Sequence, residues 1–93
     1  VQQAIADNKV TIFSKSYCPY CRRAKALFSS EYPEVEPKII ELDLVEDGDS
    51  IQAYLAELTK QRTVPNVFIN REHIGGSDDL AALHKKGGVR SLL

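Results

Sequence analysis

Only two of the 93 residues are cysteine, too few for a fold scaffolded by disulfides. Long apolar runs are missing as well, and none approaches the roughly 18 residues of a membrane-crossing helix. The formal net charge is −1 and no basic stripe is present, so nucleic-acid binding has no electrostatic support. Internal repeats, low-complexity segments and a visible signal peptide are also lacking. The chain begins at Val1 rather than at a methionine, which is compatible with a trimmed upstream segment. A cytoplasmic location is expected, with an organelle or the secretory pathway left open. The composition itself is globular: 43% apolar and 27% charged residues exclude a disordered chain. At this length one small domain over residues 1–93, with one modest core, is expected.

Periodicity divides the chain into short elements. Residues 2–8 read as a helix, and Val10-Thr11-Ile12-Phe13 as a strand rich in β-branched and aromatic residues. A helix follows, with Pro19 in its first turn and Ala24, Leu27 and Phe28 on one face. Tyr32-Pro33 and Glu36-Pro37 mark a loop, and Lys38 to Leu44 read as the second strand. Asp49 or Ser50 is placed to cap a helix carrying Ile51, Leu55 and Leu58 at helical spacing. Thr63-Val64-Pro65 ends that helix. Val67-Phe68-Ile69 and Glu72-His73-Ile74 predict a hairpin turning on Asn70-Arg71. Gly75-Gly76 follows, then Ser77-Asp78-Asp79, placed to cap a helix with Leu80, Ala81 and Leu83. Gly87-Gly88 stops it before a last helical turn at Val89 to Leu93. Two strands joined through a helix are parallel, while a hairpin is antiparallel. The expected fold is therefore α/β: a mixed four-stranded sheet with helices on both faces.

Both cysteines lie in Ser16-Tyr17-Cys18-Pro19-Tyr20-Cys21-Arg22-Arg23. Three readings compete: half of a metal clip, a structural disulfide, or a reactive thiol with a partner. Structural zinc needs four ligands. The two histidines, His73 and His84, stand far from the cysteines and from each other, so no second close ligand pair exists. A disulfide within one helical turn would constrain almost no chain. A Cys-x-x-Cys pair in a βαβ context favours thiol–disulfide chemistry. Cys18 falls where a strand hands over to a helix N-terminus, and free N–H groups there favour a thiolate. Lys15 precedes it, and Arg22, Arg23 and Lys25 follow. Cations in a first helical turn oppose the dipole, so either they add positive potential around a thiolate or they form a solvated basic face. Cys21 is one turn further in and less exposed. Cys18 is thus expected to attack and Cys21 to resolve.

Three separated motifs carry a resemblance to a known family. They are Phe13-Ser14-Lys15-Ser16-Tyr17-Cys18-Pro19-Tyr20-Cys21, Arg62-Thr63-Val64-Pro65-Asn66-Val67-Phe68-Ile69, and His73-Ile74-Gly75-Gly76-Ser77-Asp78-Asp79-Leu80. In this order they resemble a dithiol glutaredoxin of the thioredoxin fold, most of all the class I, Cys-Pro-Tyr-Cys type of fungi and plants. The resemblance implies glutathione as co-substrate, no metal, glutathionylated or disulfide-bonded proteins as partners, and a monomer without nucleic-acid or membrane contacts. It implies that Lys15 and Gln52, helped by Arg62, hold the glycine carboxylate of glutathione. Tyr20 would flank the sulfur. Val64, in the stretch Thr63-Val64-Pro65, would pair its backbone with the glutathione cysteine, and Pro65 would be cis. Gly76 would permit close approach, and Ser77 and Asp78 would take the γ-glutamyl end.

The residues fit such a ligand independently. A zwitterion with two carboxylates and one ammonium needs cations at one end, helix N–H groups and an acid at the other, and an open strand edge between. One departure stands out: Arg71 replaces the glycine usual in the family's Asn-Gly turn, so a different turn type is expected. His73 and His84 have no evident acid–base partner and read as structural or surface residues. Two rival functions remain: an iron–sulfur module, disfavoured by Pro19, and a thioredoxin-like reductase, disfavoured by the glutathione-site residues.

Overall fold

The computed structural model describes residues 1–93. Its elements are α1 (Gln2–Asp7), β1 (Val10–Ser14), α2 (Pro19–Glu31), β2 (Lys38–Glu41), α3 (Gly48–Thr59), β3 (Asn66–Ile69), β4 (Glu72–Gly75), α4 (Ser77–Lys85) and α5 (Gly88–Leu92). The strands form one mixed sheet in the order β2-β1-β3-β4. β1 pairs parallel with β2, and β1–β3 and β3–β4 pair antiparallel. This is the expected thioredoxin fold.

Alternation along β1 builds two cores, one on each face of the sheet. Val10 and Ile12 join Ala24, Phe28, Tyr32, Val67, Ile69, Leu80 and Val89 beneath α2, α4 and α5. Phe13 joins Ile5, Leu42, Leu55 and Phe68 beneath α1 and α3, where the Phe13 and Phe68 rings meet edge to face at 5.9 Å. Covered on both faces, all five residues of β1 are buried.

The differences from the sequence reading have local causes. β2 stops at Glu41 rather than Leu44. Leu42 still donates to Ser14 O (2.8 Å), but its side chain then enters the second core and the chain turns back. α3 begins at Gly48 with Asp47 as its N-cap residue, so neither Asp49 nor Ser50 caps it. Its first residue passes close to the end of β2, where a Cβ on Gly48 would lie 1.8 Å from Leu42 O, so glycine is required there. α1 ends one residue early because Asn8 is extended and its amide donates to Ala4 O at 2.8 Å. At α4 the N-cap is Gly76, not Ser77, and the Asp79 carboxylate accepts from the Gly76 N–H at 3.1 Å.

The hairpin keeps the tight two-residue turn despite Arg71. Asn70 and Arg71 both have positive φ, 50° and 72°, the signature of a type I′ turn. The expectation of another turn type is therefore corrected: Arg71 adopts the left-handed conformation that glycine takes without cost. Its guanidinium donates to Ala6 O at 3.4 Å.

Candidate active site

β1 delivers the chain to the thiols. After Ser14 a single turn, closed by the Cys18 N–H on Lys15 O (3.1 Å), sets Cys18 as the N-cap of α2. Pro19 occupies the first helical position, where its missing N–H is harmless. Both cysteines are free thiols; Cys18 is partly exposed and Cys21 is buried. The loop is clipped from the side: Ser16 donates its backbone N–H (3.0 Å) and its hydroxyl (2.5 Å) to the Asp43 carboxylate. These bonds, the hydroxyl first, hold the Asp43 carboxyl below its ordinary pKa.

The two thiols are displaced in opposite directions. Burial pushes Cys18 up, but the Cys21 backbone N–H and thiol, the Tyr20 N–H and the Lys25 charge outweigh it, so its pKa lies below that of an ordinary thiol. Burial pushes Cys21 up, and the neighbouring Cys18 adds to the rise against the Lys15 N–H and Ser14 hydroxyl, so its pKa lies above. The Lys15 N–H reaches Cys21 Sγ at 3.5 Å. Among the cations, Lys25 has a charge bearing on Cys18, and it is ion-paired with Glu41 at 2.7 Å. Arg23 instead lies over the Tyr20 ring, 5.2 Å from its centroid. Two adjacent thiols thus differ in the direction in which their surroundings displace them, Cys18 down and Cys21 up.

An open groove of about 350 Å³ lies alongside, lined by Tyr20, Gln61, Thr63, Gly76, Ser77, Asp78 and Asp79. One wall is the segment before β3, where the Val64–Pro65 peptide is cis. The other is the α4 N-terminus, whose first N–H groups have no intrahelical acceptor. Gly75 has φ 121°, and a Cβ there would meet Asp79 Oδ2 at 2.3 Å, so the fold itself requires this glycine. Gly76 differs: a Cβ would meet only Pro65 O at 3.7 Å, an ordinary contact. The chain's own packing does not demand a glycine at 76, and the free space there belongs to the groove.

Of the residues singled out in the sequence, Tyr20, Thr63, Gly76, Ser77 and Asp78 converge on this groove, with Val64 and Pro65 beside it. Lys15, Gln52 and Arg62 are not in its lining. Gln52 donates its amide to Arg62 O at 2.7 Å. Gln61 and Asp79 line the groove without having been singled out. Asp79 was legible as an acid in a first helical turn; Gln61 carried no signal beyond its closeness to Thr63. The histidines stay away from the thiols. His73 packs against Phe68, ring centroids 5.3 Å apart. His84 does have partners, contrary to expectation: its Nδ1 shares a hydrogen bond with the Tyr32 hydroxyl, and Glu31 lies 3.9 Å from Nε2.

A thioredoxin-fold sheet with a partly exposed N-cap cysteine, a second, buried thiol and an adjoining polar groove points to the thiol–disulfide class of proteins. Comparison with known proteins narrows the class. The glutaredoxin family profile matches residues 10–74, and the chain belongs to that family. It is 52% identical over 93 residues to "Monothiol glutaredoxin-S6" of Oryza sativa subsp. japonica, covering all of this chain and 70% of that protein. It is 50% identical over 93 residues to "Glutaredoxin-C4" of Arabidopsis thaliana, covering all of this chain and 67% of that protein. Among solved structures, the buckwheat glutaredoxin–glutathione complex superposes with a TM-score of 0.92 at 47% identity, over 99% of this chain and 82% of that one. Wheat glutaredoxin superposes with a TM-score of 0.91 at 52% identity, over 99% of this chain and 83% of that one.

Proposed function

We propose that this chain is a dithiol, Cys-Pro-Tyr-Cys type glutaredoxin that uses glutathione to reduce glutathione mixed disulfides and protein disulfides. The observation that carries the reading is the opposite displacement of two adjacent thiols beside a groove that offers hydroxyls, the N-terminus of α4 and two carboxylates. The Cys18 thiolate attacks the glutathionyl sulfur of a mixed disulfide. The Cys18–glutathione bond forms as the old S–S bond breaks, and the target leaves as a thiolate that takes up a proton. A second glutathione thiolate then attacks the bound glutathionyl sulfur, releasing glutathione disulfide and restoring the Cys18 thiolate. One free glutathione thiol is consumed for each mixed disulfide reduced, and the other half of the glutathione disulfide is the glutathionyl group taken from the substrate. With a protein disulfide, Cys18 forms a mixed disulfide with the target, the deprotonated Cys21 displaces the target thiolate, and two glutathione thiols then reduce the resulting Cys18–Cys21 disulfide, leaving as glutathione disulfide.

In this reading the bound glutathionyl group lies along the groove. Val64 pairs its backbone with the tripeptide as a short added strand. The Ser77 and Asp78 N–H groups and the Asp78 carboxylate take the γ-glutamyl carboxylate and ammonium. Lys15, Gln52 and Arg62 take the glycine carboxylate beyond the lined groove, and Tyr20 flanks the sulfur. The open space at Gly76 supports close approach of ligand backbone, and the glutathione complex of the buckwheat relative supports the choice of ligand.

The test is glutathione-dependent reduction of a small glutathione mixed disulfide by wild type, Cys18→Ser and Cys21→Ser. Cys18→Ser is expected to lose at least about a thousandfold in rate. Cys21→Ser is expected to keep this activity while losing reduction of protein disulfides. Loss in both variants with the small substrate would mean that turnover requires the Cys18–Cys21 disulfide, and the glutathione mechanism would fall.

A further inference from the structure

The wall of the groove formed by residues 61–65 has no backbone–backbone hydrogen bond of its own. The last bond before it is Lys60 N–H to Ala56 O at the end of α3, and the next regular pairing begins with Asn66 in β3. Three of its carbonyls are instead held by side-chain amides. The Gln52 amide takes Arg62 O. The Gln61 Nε2 takes both Thr63 O and Pro65 O, each at 3.0 Å. An amide nitrogen carries two hydrogens, and the two acceptors use both. The same chemistry fixes the amide orientation, since Oε1 facing two carbonyl oxygens would find no donor. The acceptors flank Val64 on either side. Gln61 also lines the groove together with Thr63.

We propose that Gln61 is a positioning residue for glutathione recognition: its amide clamps the carbonyls on both sides of Val64 and so presents the Val64 backbone N–H and C=O to the ligand as a ready-made strand edge. This rests on the glutathione reading of the groove given above. An edge held only by one side chain must otherwise be ordered when the ligand binds, and that ordering weakens affinity. The clamp removes the cost beforehand. The clamp acts through the backbone carbonyls of Thr63 and Pro65 and not on the reacting sulfur, so it bears on binding in ground and transition states alike. Loss of the clamp therefore appears in KM and leaves kcat in place. Glutamate is the informative replacement, since it keeps the shape of glutamine and replaces both donors by an acceptor facing two carbonyls.

The experiment compares wild type, Gln61→Ala and Gln61→Glu with a small glutathione mixed disulfide as substrate. Both variants are expected to raise KM about tenfold, the scale of two modest hydrogen bonds, with kcat within about twofold. The pH profile of Cys18 alkylation is expected to stay unchanged, which separates positioning from an effect on the thiol. Backbone N–H order parameters of Thr63, Val64 and Asn66 in the ligand-free protein are expected to fall in both variants while those of β1 hold. An unchanged KM, or a loss of kcat matching the rise in KM, overturns the proposal. So do order parameters that do not move. If wild type itself does not turn over with glutathione, the function proposed above fails, and the clamp is still judged by the order parameters.

Discussion

The two ends of α2 make opposite use of their polar groups. At the N-terminal end, Cys18, Tyr17 and Tyr20 are open to solvent, the first N–H groups of α4 face a groove, and residues 61–65 lean on two glutamine side chains. At the C-terminal end the side chains pair with one another. Tyr32 shares a hydrogen bond with His84, and Arg90 lies over the Tyr32 ring at 4.7 Å, ion-paired with Glu34. The Arg90 guanidinium also reaches Glu31 O at 3.4 Å, and Gly87 closes α4 by donating to His84 O at 2.9 Å. One end leaves donors, acceptors and a thiol available for a ligand; the other uses its groups to join α2, α4 and α5. Substitutions at the first should change chemistry without changing stability, and those at the second the reverse.

The largest expected effect lies between the ends. Phe28 is fully buried under the sheet, and Phe28→Ala should cost about 3–5 kcal/mol in chemical denaturation. The Cys18 pH profile of the fraction still folded should not move; a shifted profile would mean that the open end is not mechanically separate from the core.

Next is the titration of the thiols themselves. The lowered Cys18 pKa means that thiolate persists to lower pH than in an unperturbed thiol. Alkylation of Cys18 should therefore reach half its plateau rate at a lower pH than a free cysteine measured alongside, and fall about tenfold per further unit. In Cys18→Ser the raised Cys21 should titrate above it. Iodoacetamide rates against pH decide; equal midpoints for the two thiols would erase their assigned order.

Tyr32→Phe probes the closed end. It removes one part-buried hydrogen bond and leaves His84 Nδ1 unpaired, for about 1 kcal/mol of stability. Glutathione turnover should be unchanged, and a change in kcat would break the contrast. The smallest effect is Arg71→Gly. It relieves a side chain at φ 72° and should raise stability by about 0.5–1 kcal/mol, read from the thermal midpoint. No gain would mean that the Arg71 contact with Ala6 O offsets the backbone cost.

Most of the sheet was legible because its signals are local. Val10 to Phe13 and Val67 to Ile69 are β-branched and aromatic runs, and the Cys-x-x-Cys spacing and Pro19 mark a strand-to-helix junction. Boundaries set by tertiary contact were not. At the start of α3 Gly48 passes against Leu42 O, and the end of β2 depends on Leu42 turning into the core. Gly48 marks the place of the first contact, but nothing in residues 46–50 says which atom it passes. Within the site, Ser77 and Asp78 could be read from their place before an apolar helix. Gln61 could not, because what matters is where its amide reaches, and nothing in residue type or spacing encodes that reach. The partners of His84 were hidden for the same reason, since Tyr32 lies 52 residues away.

One feature of the sheet bears on how the thiol behaves in time. β1 is buried along its whole length and bonded on both sides, to β2 and to β3. Amides in such a strand exchange with solvent only when much of the molecule opens. Cys18 stands four residues beyond Ser14, on a loop closed by the Lys15 carbonyl and clipped to Asp43. The Cys18 sulfur is thus carried four residues beyond a strand whose opening is expected to be slow, and deuterium uptake at Ile12 becomes a clock for how often the base of its loop comes apart.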